Sequence, residues 1–445
     1  MQQPSDATLR EETTALLSAL LRVDTSNPPG GETPAALLLK DYLESAGVEC
    51  ELVAKAPQRA NLVARIPGSG QGPSLALLGH TDVVPADARD WRHPPFSGHL
   101  DDDGYLWGRG ALDMKDETAV RAVTMAILAR SGFKPRGDLV FIAQADEEDG
   151  TEAVGLTWLV GERPDIACDF SIDEGGGDRL ELADGRIAVT MTVGEKATLP
   201  AIVTALGEAG HASAPGRGEN AVPRLGRLIE RLDAYKPVRR VLPDTGRMLE
   251  ELLGSVDDDL ASALERAIRL HPSFASGLPP LLSTTIAPTR LYGSSARNVM
   301  PSRASVECDC RVLPGTDADG LTAEFRAALG DDIPYEIDFP EPPTGGTVSP
   351  IDTPLYQVCQ DFLARHDPGA QLLPKISTGF CDSHFMRNSF GTVAYGFFPI
   401  RHTPIDIIRD TVHSKDERIH VDDLVYAARF HLYAAETIGA MGPMT

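Results

Sequence analysis

Two hydrophobic periods alternate along the first 195 residues, one typical of helices and one typical of strands. Apolar residues recur with helical spacing in 8–22, in 33–47 and in the stretch DMKDETAVRAVTMAILARSG, while short apolar runs between them are strand-like: CELVA, NLVARIPG, SLALLGH, DLVFIAQ and ACDFSID. Alternating strands and helices predict an α/β fold in which helices flank a mostly parallel sheet. The segment GSGQG joins two strand runs with no helix after it, which predicts a hairpin turn.

The pattern changes in the middle of the chain. The stretches LLSTTIAPTRLYG and RASVECDCRVLPG read as adjacent antiparallel strands, and NAVPRLGRLIERL and DADGLTAEFRAALG read as helices. Together they predict an α+β layer, into which the polar, helical segment 235–285 is inserted. The first pattern resumes after 350 with the helix PLYQVCQDFLARH, the strand TVAYGFF and a helix from about Val421. We therefore predict one α/β domain, formed by 1–195 and 346–445, that is interrupted by a second domain at 196–345.

Charge and composition narrow the class of partner. The 445 residues carry a formal net charge of −24, which argues against nucleic acid and anionic membranes as partners. No apolar run approaches the roughly 18–20 residues of a membrane span, and the N-terminus lacks the features of a signal peptide. The six cysteines are scattered, and Cys308 and Cys310 have the spacing of packed strand residues. Reduced thiols in the cytoplasm are the expectation.

Five clusters of histidine and acidic residues fall at predicted strand ends, at a helix start or near the C-terminus: HTD at 80–82, LDMKD at 112–116, DEED at 146–149, DEGGG at 173–177 and VHSKDERI at 412–419. Any one of them alone reads as a solvated acidic loop. Sites in parallel sheets form outside the carboxyl ends of the strands, so several clusters meet at one sheet edge. Imidazole nitrogens and carboxylate oxygens are zinc ligands, and one carboxylate can bridge two metals about 3.5–4 Å apart.

These clusters belong to a longer series of motifs. GHTDVVP, GRGALDMKD, DEE, DEG, GHAS and HSKDER occur in this order from one end of the chain to the other. The series resembles the zinc amidohydrolase family of aminoacylase, carboxypeptidase S, glutamate carboxypeptidase, acetylornithine deacetylase and succinyl-diaminopimelate desuccinylase. The resemblance implies a zinc-exopeptidase-like catalytic domain at 1–195 and 346–445. It also implies that 196–345 is an inserted lid or dimerisation domain.

The resemblance also assigns a metal centre. His80 is expected to bind one zinc ion with Glu174, and His413 the other with Glu148, while Asp113 bridges both. Asp173 is a rival for the role of Glu174. The resemblance also implies a cis peptide bond between Asp113 and Met114.

Two further carboxylates receive roles beside the metals. Glu147 precedes a ligand, so in an extended segment it points away from that ligand's metal and can act as general base. Asp82 is expected to orient His80 through the ring nitrogen that is not on zinc.

Four substrate-side residues are carried over from the same resemblance. His211 in GHASAP corresponds to the histidine that a neighbouring subunit or lid presents to the tetrahedral intermediate. Asn298 and Arg311, taken to lie on neighbouring strands, correspond to a pair that holds substrate, and Arg311 can grip a carboxylate. The alternative for Arg311 is a structural ion pair. Gly379 is assigned to the substrate site, although TGFCD and GFFP depart from the family pattern and leave the substrate open.

The predicted function is that of a two-zinc hydrolase, with Co²⁺ or Mn²⁺ as possible substitutes. It cleaves an amide next to a free carboxylate in N-acyl amino acids or short peptides, by attack of a zinc-bridged hydroxide with Glu147 as base. The expected assembly is a homodimer. Two alternatives stay open: a biosynthetic N-deacetylase or desuccinylase, and a metal-binding homologue without catalytic activity.

Overall fold

The computed structural model describes residues 4–255 and 259–444 and divides them into two compact units. The first unit comprises the described parts of Met1–Val193, Ser349–Lys375 and Cys381–Thr445. The second comprises those of Gly194–Val348 and Ile376–Phe380. The segment 376–380 belongs to the second unit, although it lies outside the range predicted for the inserted domain. The roles of lid and dimerisation domain stay predictions.

The strands are short and numerous. They are β1 Glu49–Ala54, β2 Ala60–Ile66, β3 Leu75–His80, β4 His99–Leu100, β5 Tyr105–Trp107, β6 Leu139–Gln144, β7 Phe170–Asp173, β8 Arg179–Glu181, β9 Ile187–Glu195, β10 Ala197–Thr198, β11 Ala201–Leu206, β12 Gly210–His211, β13 Thr285–Tyr292, β14 Val299–Met300, β15 Arg303–Val312, β16 Tyr335–Asp338, β17 Thr344–Gly345, β18 Ala370–Ser377, β19 Val393–Gly396 and β20 Arg418–His420.

The helices follow the predicted positions closely where the apolar period is long. They are α1 Asp6–Leu21, α2 Thr33–Ser45, α3 Lys115–Arg130, α4 Leu156–Glu162, α5 Ala221–Ala234, α6 Pro243–Leu253, α7 Leu260–Leu270, α8 Phe274–Leu281, α9 Ala318–Leu329, α10 Pro354–His366, α11 Ser383–Phe390, α12 Ile405–Thr411 and α13 Val421–Gly439. Short 3₁₀ turns occur at Ala88–Asp90 and Pro164–Ile166. Within the described residues, no helix is both long and apolar enough to cross a membrane.

The largest sheet has the strand order β1-β2-β6-β3-β7-β19-β9-β18, with β8 paired to β9. Its centre is parallel, because β3 pairs in parallel with β6 and β7, and β7 with β19. Antiparallel pairs flank this centre. The prediction of a mostly parallel sheet flanked by helices is confirmed. The predicted hairpin at 68–72 is wrong, because β6 lies between β2 and β3 and pairs with both.

Helix α3 is buried on every side, unlike an ordinary surface helix with one apolar stripe. It packs against α1 and α13 and lies on β3 and β6. Gly79 permits this close approach, since a β-carbon there would lie 2.5 Å from the Thr118 hydroxyl. The other face of the sheet is covered by an apolar cluster that includes residues of α4 and α11. The carboxyl end of β3 is therefore fixed from both faces.

The second unit is an antiparallel sheet with the order β16-β11-β15-β10-β17, and β13 also pairs with β15. The strands predicted at 281–293 and 303–315 are thus adjacent and antiparallel, as expected. Alternate residues of β15 face a core shared with α5 and α9. Cys308 and Cys310 belong to that core, which confirms their predicted packing role.

Candidate metal centre

The carboxyl ends of three strands bring the predicted ligands of the first unit to one edge of its sheet. His80 is the last residue of β3, Glu147 and Glu148 follow β6, and Glu174 follows β7. Asp113 lies just before α3, and its peptide bond to Met114 is cis, which confirms the expectation. His413 lies in the loop between α12 and β20 and adopts a left-handed backbone, with φ of 56°.

The first group of candidate ligands is largely shielded from solvent. His80 Nε2 lies 3.2 Å from Asp113 Oδ1 and 3.7 Å from Glu174 Oε2, and its side chain is fully buried. Glu147 Oε2 is 3.9 Å from the same nitrogen. The carboxylate of the rival, Asp173, instead accepts a hydrogen bond from the Ser383 hydroxyl at 2.9 Å. Glu174 is therefore the acid of this pair that faces His80.

The second group shares Asp113 with the first. His413 Nε2 lies 3.0 Å from Asp113 Oδ2 and 3.0 Å from Glu148 Oε2. The His413 side chain is 53% exposed, whereas that of Glu148 is 3% exposed. The two oxygens of Asp113 thus face two different histidines. One group is enclosed and the other opens to solvent.

These distances suit a divalent metal of the zinc type. Four ligands at about 2.0–2.1 Å in a tetrahedron lie roughly 3.3 Å from one another, and the observed spacings of 3.0 to 3.7 Å bracket that value. His80 Nδ1 lies 3.0 Å from the main-chain oxygen of Asp82, so Nδ1 carries a hydrogen and Nε2 is the ring nitrogen that faces the carboxylates, with a proton on it when no metal is bound. Such a nitrogen among carboxylate oxygens calls for a cation. The donor set therefore fits the expected metals.

Asp82 acts differently in detail from the expectation. Its main-chain oxygen, not its carboxylate, receives the hydrogen bond from His80, and Oδ1 lies 3.6 Å from Nδ1. The carboxylate instead accepts from the main-chain nitrogens of Glu147 and Glu148, at 3.2 and 3.1 Å, and from Asn27 at 2.9 Å. Asp82 therefore fixes the segment that carries the candidate base and one candidate ligand.

The segment that carries Glu147 and Glu148 is not extended. The prediction that Glu147 points away from the metal of Glu148 assumed an extended segment, so its premise is wrong. Asp146 has φ of 64°, in the left-handed region, and turns the chain directly before Glu147. Its carboxylate is held by Arg59 and Asn27, both at 3.1 Å. As a result Glu147 lies on the His80 side and Glu148 on the His413 side. The two neighbours point apart through this turn and not through strand alternation.

Burial and charge shift the titration of the whole group in the metal-free chain. Burial raises the pKa of Glu174 to about 7 and raises the pKa of Glu147 well above its ordinary value. Hydrogen bonds to Asp113 and Glu148 raise the pKa of His413 to about 10. Burial opposes charge on His80, but its hydrogen bonds to Asp113 and Glu174 still raise its pKa well above 6.5. The centre therefore binds protons strongly when no metal is present.

Two buried acids at the centre were given no role from the sequence. Glu417 pairs with Arg109 and accepts from the main-chain nitrogens of Leu112 and Asp113, at 2.7 and 3.2 Å. Arg109 lies in the motif GRGALDMKD and Glu417 in HSKDER, so the sequence motifs already contained both members of this pair. Asp382 lies within TGFCD, and burial beside Asp173 raises its pKa well above the ordinary value. The proximity of Asp382 to Asp173 and the centre depends on the fold, and no spacing of residues along the sequence indicates it.

The substrate-side candidates belong to the second unit. His211 is exposed, and its Nδ1 accepts from the Ser213 main-chain nitrogen at 3.2 Å. Asn298 is exposed and precedes β14, so it does not lie on a strand beside Arg311 as predicted, although β14 pairs with the strand of His211. Arg311 binds Asp309 through two nitrogens, at 2.7 and 3.0 Å. Gly379 borders open space.

A third group of possible metal ligands lies apart from these residues and consists of His402, His420 and Asp422. Two of its three residues already have polar partners. Asp422 forms an ion pair with Arg10, and the Asp422 main-chain nitrogen donates to His420 Nδ1 at 3.2 Å as the helix cap of α13. This group therefore differs from the main centre, where the two oxygens of one carboxylate face two imidazoles.

Comparison with known proteins shows which family the chain resembles. The model of Peptidase family M20/M25/M40 matches residues 76–437. Succinyl-diaminopimelate desuccinylase of Methylobacterium radiotolerans is 30% identical over 446 residues, which cover 95% of this chain and 95% of that protein. Aminoacylase-1 of Sus scrofa is 28% identical over 414 residues, which cover 91% of this chain and 90% of that protein.

Solved structures share the fold at lower identity. An M20 family metallo-carboxypeptidase from Sulfolobus solfataricus has a TM-score of 0.70 and 18% identity, and the match covers 97% of this chain and 100% of that one. Human carnosine dipeptidase 1 has a TM-score of 0.69 and 15% identity, with 98% of each chain covered. At these identities the likeness describes the fold alone.

Proposed function

The chain belongs to Peptidase family M20/M25/M40 and is a metal-dependent hydrolase, and we propose that it cleaves an amide bond next to a free carboxylate. The proposed substrates are N-acyl amino acids or short peptides. The proposed metal content is two Zn²⁺ ions per subunit, for which Co²⁺ or Mn²⁺ can substitute. The two ligand sets are His80 with Glu174 and His413 with Glu148.

The position of Asp113 is the observation that carries this proposal. One of its oxygens faces His80 and the other faces His413, at 3.2 and 3.0 Å. Each histidine also faces a separate glutamate. Asp113 would let two divalent cations share one carboxylate, and the three carboxylates would leave one of their four positive charges uncompensated. When bound, the metals would polarise the substrate carbonyl and make a water molecule acidic enough to lose a proton near neutral pH.

Glu147 is the proposed general base. Its side chain faces His80 but lies farther from Nε2 than those of Asp113 and Glu174. It takes a proton from the attacking water and passes it to the leaving nitrogen as the carbon–nitrogen bond breaks, so that a carboxylate and an amine are formed. The hydrogen bonds from the main-chain nitrogens of Glu147 and Glu148 to Asp82 hold the base in place. A positioned base of this kind contributes about 10²–10⁴-fold to the rate.

Arg311 is the proposed partner of the substrate carboxylate. It already holds a carboxylate through two nitrogens, that of Asp309, and its third nitrogen donates to the Thr198 hydroxyl at 2.8 Å. The planar guanidinium suits such two-point binding. Because the ion pair is 28% and 41% exposed on its two sides, a substrate carboxylate can replace Asp309 at modest cost. Asn298 and Gly379 are proposed to line the same substrate site.

A homodimer in the cytoplasm is the proposed assembly, with His211 acting on the partner's substrate. Apolar side chains are exposed on the second unit at Val222, Leu291, Tyr292 and Val299, with Leu291 68% exposed. Val222 lies close to Gly293 at the end of β13, which joins two parts of this surface. Leu291 and Tyr292 lie on β13, which pairs with β15, and exposed apolar surface on such a strand supports a contact between two copies of the chain.

A desuccinylase is the second candidate function, because the relative at 30% identity bears that name. A panel of N-acyl amino acids, N-succinyl amines and dipeptides, with and without added Zn²⁺, separates the two. We expect metal-dependent turnover of acyl amino acids or dipeptides. Turnover confined to succinylated substrates would favour the second candidate. A zinc-loaded sample that is inert toward the whole panel would contradict both.

A further inference from the structure

Arg121 is a fully buried arginine behind the metal centre, on helix α3. Its guanidinium donates to the main-chain oxygens of Leu78, on β3, and of Asp173, the last residue of β7, the latter at 2.9 Å. It also pairs with Glu117 at 2.6 Å. One side chain thus holds the backbone of two strands whose ends carry His80 and Glu174.

The contact falls where the two strands stop pairing. The ladder between β3 and β7 runs through Leu75, Ala76 and Leu77 and ends there, although both strands continue. In the same register, Leu78 and Asp173 would form the next rung. The carbonyls of both residues accept from Arg121, and that of Asp173 also accepts from the Phe397 main-chain nitrogen at 3.1 Å, so the guanidinium joins β3 to β7 where their ladder ends. His80 and Glu174 lie just beyond this point, where no ladder between the two strands fixes their separation.

The arginine is itself held rigidly. His431 Nδ1 lies 2.8 Å from the oxygen of Ala427 and therefore carries the hydrogen, so its Nε2 accepts from Arg121 Nε at 3.3 Å. Burial, with the nearby guanidinium, lowers the pKa of His431 to about 3, and the ring stays neutral as this arrangement requires. With Glu117 and two carbonyls as the other acceptors, a charge buried at this cost is well satisfied.

The same helix also holds His80. The Thr118 hydroxyl, three residues before Arg121, donates to the main-chain oxygen of His80 at 2.9 Å. Asp113 lies two residues before the start of α3. Helix α3 thus holds the backbone at His80 and next to Glu174, the two candidate ligands that belong to the enclosed group alone. By contrast, α3 makes no such contact in the described structure with Glu148 or His413 of the second group.

We infer that Arg121 is a positioning residue that sets the separation of His80 and Glu174 and thereby the affinity of the enclosed metal site. The inference rests on the proposed metal centre. It concerns one of the two metals only, because the contacts of Arg121 lead to the ligands of one group. The competing reading is a buried ion pair that stabilises α3 and has no bearing on metal binding.

The test measures zinc affinity in two backgrounds that each keep one site. His413→Ala leaves the enclosed group, and His80→Ala leaves the open group. Adding Arg121→Met is expected to weaken zinc binding about 10–100-fold in the first background, as loss of a group behind a ligand usually does. In the second background the dissociation constant should change less than about twofold. Competition titration with a chromophoric chelator measures the zinc dissociation constant in both backgrounds.

Controls separate positioning from stability. Arg65→Met removes an arginine that joins β2 to the opposite end of β6, where Arg65 bonds Asp138 and Asp165, and should leave both affinities unchanged. Arg121→Lys keeps the charge but cannot bridge the two carbonyls, so it should show the same selective loss if the methionine variant does not fold. Equal losses in both backgrounds, or none in either, would overturn the inference. Full retention of two zinc ions by His80→Ala or by His413→Ala would overturn the metal centre itself.

Discussion

Candidate residues of the first unit are mostly buried and interlocked, whereas those of the second unit are more exposed and pair mainly with near neighbours in sequence. Asp82, Glu148 and His80 are held by main-chain and side-chain partners far along the chain. His211 and Arg311 contact residues two positions away, Ser213 and Asp309. The first arrangement suits fixed metal ligands, and the second suits groups that engage a substrate or a partner chain only when it arrives.

The difference has an energetic basis. Burying several carboxylates together costs free energy that only a bound cation or proton recovers, so the first unit preorganises its charges. An exposed ion pair such as that of Arg311 contributes little to stability and can be exchanged. If this comparison is right, substitutions in the first unit alter metal content and chemistry, while those in the second alter substrate and partner dependence.

The largest effect is expected at Glu147. Glu147→Gln should lower kcat by about 10²–10⁴-fold, since it removes the base. Both zinc ions should stay bound, because the residue is not among the proposed ligands. Metal analysis and steady-state kinetics on the purified variant check this.

The adjacent acid serves as the matched control. Glu148→Gln should lose the metal of the open group, since Glu148 faces His413. If Glu147→Gln lost metal and Glu148→Gln kept both ions, the roles of the two neighbours would be reversed.

The second prediction tests whether the exposed residues act between chains. His211→Ala should reduce kcat by roughly 10²–10³-fold, as loss of one donor to a developing oxyanion does. Mixing this variant with Glu147→Gln should partly restore activity, because a mixed dimer contains one site with both residues intact. Native mass spectrometry verifies exchange.

Two results would contradict that arrangement. Activity that stays absent after proven exchange would place His211 within its own chain or outside catalysis. A monomer by light scattering would exclude the trans arrangement and leave the exposed apolar surface without the proposed partner.

A smaller effect is expected at Arg311. Hydrogen bonds to charged groups are worth about 1.5–3 kcal/mol, so Arg311→Ala should lower kcat/KM roughly 10–150-fold for a free acid. The matching amide, already poor for the unmodified protein, should change little. Arg303→Ala is the control, because Arg303 lies on the same strand and pairs with Glu336 at the surface. Equal losses for acid and amide would indicate a structural role for Arg311.

The sequence was sufficient for elements whose apolar period is long. The helices α2, α3, α10 and α13 begin or end within about two residues of their predicted positions, because their buried faces recur over several turns. Strand order was not readable in the same way. GSGQG has the composition of a hairpin turn, yet β6 intervenes, since pairing depends on contacts that are distant in sequence.

The candidate site likewise contains features that the sequence predicts and features that depend on the fold. Motifs quoted from the sequence contain His80, Asp113 and Glu148, which the structure brings together. The turn at Asp146 and the main-chain role of Asp82 could not be predicted, because they depend on φ angles and carbonyl directions. Arg121 carries no motif signal at all. Its position becomes meaningful only once β3 and β7 are seen to part.

Removing the metal should make the first unit sensitive to pH. The pKa of the buried Glu174 is raised to about 7, so the metal-free folded state binds this proton more tightly than the unfolded chain. Its contribution to stability is therefore present at low pH and is lost as the pH rises from about 4.5 through 7. At about 1.4 kcal/mol per pKa unit, the loss is on the order of 3 kcal/mol, or several degrees in the thermal midpoint.

Thermal melting of chelator-treated protein between pH 5 and pH 8 measures this loss. The zinc-loaded protein should not show it, because metal ligands are unprotonated and zinc binding strengthens as the pH rises. The raised pKa of His413 gives the same sign at higher pH. A metal-free protein that gained stability over this range would contradict the described electrostatics of the centre.

The smallest effect is expected in the second unit and has the opposite sign. Lys196 is buried and donates to the main-chain oxygens of Ser283 and Pro280, at 2.8 and 3.0 Å, and burial lowers its pKa to about 8. A lowered lysine pKa means that the unfolded chain holds more protons than the folded chain above pH 8. The free energy of unfolding therefore rises as the pH increases from about 8 toward 10.5. Between pH 8 and 9.5 this gain in stability is about 1–2 kcal/mol. Melting curves of zinc-loaded protein check this. Over this interval the thermal midpoint of the unmodified chain should rise relative to that of Lys196→Met. It should not rise relative to that of the control Lys236→Met, in which an exposed lysine is replaced. Activity should stay unchanged in the control. Parallel curves for Lys196→Met would mean that the buried charge of the second unit is matched as well as those of the first, and the contrast between the two units would then be confined to their candidate site residues.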